Sequence, residues 1–426
     1  MSGWSDSSRP RSTPRSRRPG WAERPALLTS RWAALALVTA AFALSALSAL
    51  AVAPLAPFLL ESLRLSRAHV GFFLPAVYLG GVLMALPAGW LTDLLGVRRT
   101  LGLGQLLTGA MVALAGLTGS LPLMLCCLVV AGFGFSVANP ATGRAIVEWF
   151  PARERGMAMG IKQTGLTIGG ILGSLLLPPI ALRLGWRDAL VVAGLLSIAS
   201  AVAVMVSYRP PSLIAVRAPV ERPRFSELGV VMRRRGVQVV FAAGFLLSLA
   251  QASVLAYLAL YARETFDVSP VAAGQLLALA QLGGTLARLG WGFASDHFFR
   301  SRRRPGVVIT ALTGALAYVV FSLGAVVPSV LAAPLAFLAG AGAFGWVGLY
   351  FALVAEVGGP RYAGLLTGVA VVFTWSGVLV GPLVFGAVLQ ASGDYAWSWR
   401  LLSVIVVVTA LAVARLEPLV QRGRLE

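Results

Sequence analysis

Three cations interrupt the long apolar runs of this 426-residue chain: Arg144, Lys162 and Arg288. A charge at the bilayer centre costs about 2.5–3.5 kcal/mol on insertion scales, so an intramembrane cation is by default a functional residue. Lys162 is the sole lysine beside 34 arginines, within Gly160-Ile161-Lys162-Gln163-Thr164-Gly165. An ammonium is a compact charge on a flexible stem, which suits reversible anion binding. The plainer reading of Lys162 is a side chain that snorkels to the headgroups. Arg144 has Glu148 one helical turn on, and that pair alone would neutralise it. Arg288 shares a helical face with Gln281. Further candidates for a binding cavity are Gln163, Gln251, Tyr257, Trp346 and Tyr350, with Ser45 and Ser48. All 16 acidic residues fall in loops, tails or the ends of apolar runs. No acid therefore meets these cations at mid-membrane.

The elements that must carry these residues are membrane helices. Of the residues, 58% are hydrophobic and 12% charged, and the mean hydropathy is +0.83. About 20 apolar residues cross a bilayer. Twelve such runs are predicted: 32–58, 70–91, 101–118, 121–147, 157–182, 189–208, 238–261, 271–294, 307–327, 329–354, 362–389 and 397–414. With the N-terminus inside, 26 of the 35 cations fall in cytoplasmic tails and loops and six outside. That is the expected retention of positive charge on the cytoplasmic face. The net charge of +19 is therefore topology, and a nucleic-acid binder, which clusters its bases on a soluble domain, is excluded.

Residues 1–31, rich in Ser, Pro and Arg, cannot bury a core and are expected to be a disordered cytoplasmic tail. Such a tail orients the first helix and can rest on anionic lipid. Two six-helix bundles at 32–208 and 237–416 follow, joined by a cytoplasmic linker at 209–236 and ended by a cytoplasmic tail at 417–426. Cys126 and Cys127 are adjacent packing residues, and the only histidines, His69 and His297, fall in loops on opposite sides. No metal set, cofactor motif, catalytic constellation or phosphate loop is present in the sequence, so neither an enzyme nor an ATP-driven pump is expected.

The chain repeats itself. Gly89-Trp-Leu-Thr-Asp93-Leu-Leu-Gly96-Val-Arg98-Arg99 returns 203 residues later at Gly292-Phe-Ala-Ser-Asp296. Glu148…Arg153…Gly156…Gly160 returns at an offset of 208 as Glu356…Arg361…Gly364…Gly368, and the match continues through Gly169/Gly377 and Gly173/Gly381. Similarity at half the chain length in a membrane protein points to a transporter of two related halves. Each interior cation has no counterpart: Arg144 maps to Ala352, Lys162 to Ala370 and Arg288 to Ala85.

The Gly89…Asp93…Gly96…Arg98-Arg99 loop and its second copy at Gly292…Asp296 resemble the signature loop of the major facilitator superfamily. The resemblance implies an all-α integral membrane fold of twelve transmembrane helices. These form two pseudo-twofold-related six-helix bundles around a cavity that opens alternately to each side. It also implies that Asp93 latches the cytoplasmic side, accepting from helix N–H groups of the other half and pairing with Arg98, Arg99 or another arginine. Asn139-Pro140…Gly143-Arg144…Trp149-Phe150-Pro151 is similar to a motif of the superfamily's organic-anion symporters, in which the arginine grips a carboxylate. An arginine in the place of Arg288 can equally brace Asp296.

Three functional classes remain. The leading expectation is a secondary transporter of a small anion, a carboxylate or inorganic anion, with a coupling proton or an exchanged anion. It would be a multi-pass monomer of the plasma (inner) membrane with both termini cytoplasmic. A drug or metabolite exporter is the second class, since Gly160, Gly169 and Gly173 match part of the exporters' span-five motif. There Ser174 replaces the motif proline, while span eleven, in the other half, shows Gly377, Gly381 and Pro382. The third is a non-transporting solute sensor.

Overall fold

In lipid every backbone polar group must find its partner within the protein, and a helix pairs them within one segment. The apolar runs accordingly form helices. The computed structural model describes residues 30–151, 154–211, 232–299 and 302–416, apart from the side chains of Leu86, Asp296 and residues 358–365. The expected tail at 1–29, residues 212–231 of the expected linker and the tail at 417–426 lie outside the described residues. Among the described residues, twelve spans are long and apolar enough to cross a membrane. Spans 2 and 3 follow one another within the helical stretch Val70–Leu117, two helices that meet at a kink at Gly96. The others are span 1 (Arg31–Leu63), span 4 (Leu121–Trp149), span 5 (Arg155–Leu184), span 6 (Trp186–Ser207) and span 7 (Arg235–Phe266). Span 8 (Pro270–Ser295), span 9 (Arg304–Phe321), span 10 (Ser329–Val357), span 11 (Leu366–Ser392) and span 12 (Tyr395–Ala414) complete the set.

The packing repeats between halves. Span 1 lies on span 5, the helical stretch of spans 2 and 3 on spans 4 and 6; correspondingly span 7 lies on 11, 8 on 10 and 9 on 12. The halves meet through spans 5 and 8, 2 and 11, and 1 and 7. Small residues permit these approaches. Gly169 faces the carbonyl of Ala43, and its repeat partner Gly377 faces the carbonyl of Phe245; at either place a Cβ would collide with backbone.

Two helix breaks matter for the site. Span 4 is interrupted at Val137 and span 10 at Gly345–Trp346, again 208 residues apart. Span 1 breaks at Leu50–Ala51, whereas span 7 is helical throughout. The expected loop at 89–99 proves to be helix with one exception: Gly96 (φ 75°, ψ 166°) is the only non-helical residue over Val70–Leu117. Glycine has no Cβ to oppose that backbone, so one residue makes the turn.

Candidate substrate cavity

The two helix breaks open into one cavity of about 140 Å³ between the halves. Arg288 of span 8 enters its wall, with Gln163 of span 5, Gln251 of span 7 and Asn139 of span 4. Aromatic rings supply much of the remainder: Phe42, Tyr78, Phe135, Trp346, Phe351 and Trp375. The first part of span 10 ends at Phe344, and the last carbonyls of a helix lack intrahelical partners. Arg288 Nη2 donates to the Phe344 carbonyl at 3.2 Å. Its Nε is buried with no hydrogen-bond partner, and so is Gln251 Oε1. No carboxylate lines the cavity.

Lys162 stands behind this wall. It is buried (3% exposed), donates from Nζ to Asn139 Oδ1 at 2.5 Å, and lies over the Phe42 ring at 5.0 Å. The structure therefore does not support snorkelling of Lys162 to the headgroups. Several other sequence candidates lie away from the cavity wall. Gln281 donates to Ser174 Oγ at 3.1 Å and helps hold span 8 to span 5. Tyr350 is buried behind Trp346, edge-on at 5.2 Å. Tyr257 stacks on Phe385 at 4.5 Å and donates to the Arg67 carbonyl at 3.3 Å. Ser45 and Ser48 are buried elsewhere.

Arg144, expected to grip substrate, is not in the cavity wall. It bonds the Asp93 carboxylate, the Thr92 carbonyl at 3.2 Å and Glu148 Oε1 at 2.9 Å. Tyr208 donates to the other Glu148 oxygen at 3.1 Å. Burial and the adjacent Glu148 carboxylate push the Tyr208 phenol up, so it remains a donor at neutral pH. Asp93, expected to act as the latch, thus has an arginine partner in its own half. Arg98 instead reaches the Met205 carbonyl, and Arg99 is exposed. In the second copy, Glu356 is the repeat partner of Glu148, but Arg144 is there Ala352. Glu356 pairs with Arg303 at 3.4 Å instead, and Arg303 donates to Ser295 Oγ at 2.9 Å. Gly292 adjoins this cluster in sequence; the side chain of Asp296 lies outside the described residues, so its proposed brace by Arg288 does too.

The family model for the Major Facilitator Superfamily matches residues 36–382. The chain belongs to that superfamily. It is 26% identical over 373 residues to a membrane sensor protein of Salmonella typhimurium, covering 83% of each chain. It is 25% identical over 390 residues to a "Probable sulfoacetate transporter" of Cupriavidus necator, covering 85% of this chain and 88% of that one. Among solved structures, it superposes on an inward-facing, unoccupied bacterial homologue of the human lysosomal transporter Spinster. The TM-score is 0.71 at 17% identity, over 94% of this chain and 97% of that one. As a superfamily member it is a multi-pass membrane transporter in fold and not an enzyme.

Superfamily members move by one half rocking against the other, so contacts between halves carry weight. Away from the signature loops, Arg67 pairs with Glu264 at 2.7 Å and Arg263 with Glu61 at 3.6 Å, each across the halves. Tyr395 donates to Glu264 at 3.0 Å. At the signature-loop end, side chains added at Gly89, Gly156, Gly160, Gly292 or Gly368 would meet open space. The sequence reading missed Asn139 and the rings of Tyr78 and Trp375 as cavity residues. The available signal was the paired helix breaks, which composition does not mark because Val137 and Gly345 both sit in apolar runs.

Proposed function

We propose that this chain is a secondary transporter carrying a small anion across the plasma (inner) membrane by alternating access, as a monomer with both termini cytoplasmic. One observation carries the reading: Arg288 enters a cavity between the halves with a buried, unpartnered Nε and no carboxylate in the wall. A buried cation without an acid is stabilised by an anionic ligand. The sulfoacetate-transporter relative fits this reading. The halves are taken as 32–208 and 237–416 with the linker between, and the arrangement as open to the cytoplasm. Opposed charges close the far end (Arg67–Glu264, Arg263–Glu61), and open space surrounds the signature-loop glycines. The Asp93–Arg144 and Arg144–Glu148 pairs lie within one half, and the signature loop is taken to meet the other half when the cytoplasmic side shuts.

The exporter reading is less favoured, because Gly169 of that series packs against the Ala43 carbonyl as its repeat partner Gly377 does against the Phe245 carbonyl, so the shared spacing serves helix packing in both halves. The sensor reading is favoured by the Salmonella relative, and flux distinguishes it. A thermal-shift screen of the purified protein against anions, sugars and cationic drugs tests the proposal. A true ligand stabilises by about 2.7 kcal/mol at a hundredfold excess over Kd. Stabilisation by anions alone supports the reading, and stabilisation only by cationic drugs refutes it. Uptake with and without an imposed pH gradient then separates a coupling proton from an exchanged anion.

A further inference from the structure

The cavity wall says more about its ligand than the sign of its charge. We infer that the substrate is a monocyclic aromatic monocarboxylate bearing one hydroxyl or amino group, a reading that rests on the anion proposal above.

Charge comes first. The wall presents one guanidinium, Arg288, and no acid. Lys162 is already bonded to Asn139 Oδ1 and covered by the Phe42 ring. One anionic group matches one free donor edge. A second would be buried without a partner, and an uncompensated buried charge is strongly destabilising. Dianions such as sugar phosphates and sulfonated carboxylates are thereby disfavoured.

Shape and polarity come next. Six of the 17 wall residues are aromatic. Tyr78 sits edge-on to Phe135 at 6.4 Å and to Trp375 at 5.8 Å, so rings from both halves form one surface. Trp346 turns its indole N–H away to the Ala343 carbonyl at 2.8 Å and offers the cavity only its ring. Such a surface favours a flat π-system in stacked or edge-on contact. A polyhydroxylated sugar acid would set some of its hydroxyls against these ring faces, each at a desolvation cost, although Ser136, Asn139, Gln163, Ser248 and Thr374 also line the wall. The volume agrees: about 140 Å³ is close to the engineered cavity of about 150 Å³ that admits one benzene, and below the range of about 300–1,000 Å³ for drug-sized ligands.

The last feature is Gln251. It lines the cavity while its Oε1 is buried and unpartnered, and a turn of the amide toward the cavity would let a ligand donor satisfy that acceptor. One hydroxyl or amino group on the ring meets that need.

Equilibrium binding to the purified full-length protein tests this. The probes are benzoate, para-hydroxybenzoate, galacturonate, sulfoacetate, nitrate and a lipophilic cation. Para-hydroxybenzoate should bind most tightly, about 3- to 10-fold better than benzoate, the worth of one neutral hydrogen bond. In Gln251→Leu that preference should vanish, para-hydroxybenzoate then binding no better than benzoate. If galacturonate, sulfoacetate or nitrate binds as well as or better than the aromatic acids, the aromatic inference is overturned while the anion proposal stands. If the cation alone binds, both fall. If Gln251→Leu keeps the preference for the hydroxyl, Gln251 is not its partner and that part of the inference is wrong.

Discussion

At the residue scale, two cations of similar sequence appearance have different settings. Arg288 lines the cavity and keeps a buried Nε without a partner, whereas Lys162 is held behind Asn139. Arg288→Gln should weaken anion binding about 10- to 150-fold, the worth of one charged hydrogen bond of about 1.5–3 kcal/mol. Titration of the variant with the anion found by thermal shift checks this, and an unchanged Kd counts against it. Asn139→Leu should cost about 1–3 kcal/mol or more by stranding the Lys162 ammonium in the core. The Asn139→Leu/Lys162→Met double variant should melt closer to wild type than Asn139→Leu alone. A double variant that melts lower still would show that the pair is not coupled. The sequence made the cations conspicuous, since charge in an apolar run is unmistakable. It could not separate them, because their difference lies in partners 23 and 56 residues away, Asn139 and Phe344.

At the element scale, the signature loop and the repeated glycines were both legible, the loop's pairing less so. Asp93 finds Arg144 in span 4 instead of a neighbour in its own motif because Gly96 turns the chain in one residue and keeps Asp93 on the helix beside span 4. Asp93 is 62% exposed, and exposed pairs are worth about 0.2–1 kcal/mol. Asp93→Asn should therefore slow turnover by less than about fivefold and leave substrate Kd unchanged; a lost Kd would move Asp93 into the binding site. The glycines give a sharper contrast. A Cβ at Gly173 would make ordinary contacts with Leu47 at 3.6 Å and Leu177 at 3.9 Å, but at its repeat partner Gly381 it would strike the Leu249 backbone. Gly173→Ala should be neutral or mildly stabilising, and Gly381→Ala should cost about 1–3 kcal/mol by overpacking. Equal melting temperatures for the two variants would mean that spans 7 and 11 pack less tightly than described.

At the scale of the whole molecule, the repeat and the charge bias made twelve spans and two halves readable from sequence, because both are properties of the chain as a line. The contacts between halves were not readable, since they join residues about 200 positions apart whose charges all lie at span ends, as Arg67–Glu264 and Arg263–Glu61 do. Glu264 meets Arg67 across the halves and Tyr395 within its own half. Glu264→Gln should raise the reactivity of a cysteine placed at Ser66 toward a membrane-impermeant thiol reagent, by less than about fivefold given the partial exposure of the pair. Unchanged or lower reactivity would show that these charges do not bias the equilibrium. The central claim, that an anion is carried against Arg288 and released on the other side, is tested most directly by uptake of a labelled anion into proteoliposomes, wild type against Arg288→Gln. The account predicts saturable uptake by the wild type, and in the variant a half-saturating concentration raised at least about tenfold. Anion binding without uptake by the wild type, or uptake indifferent to Arg288→Gln, would contradict it.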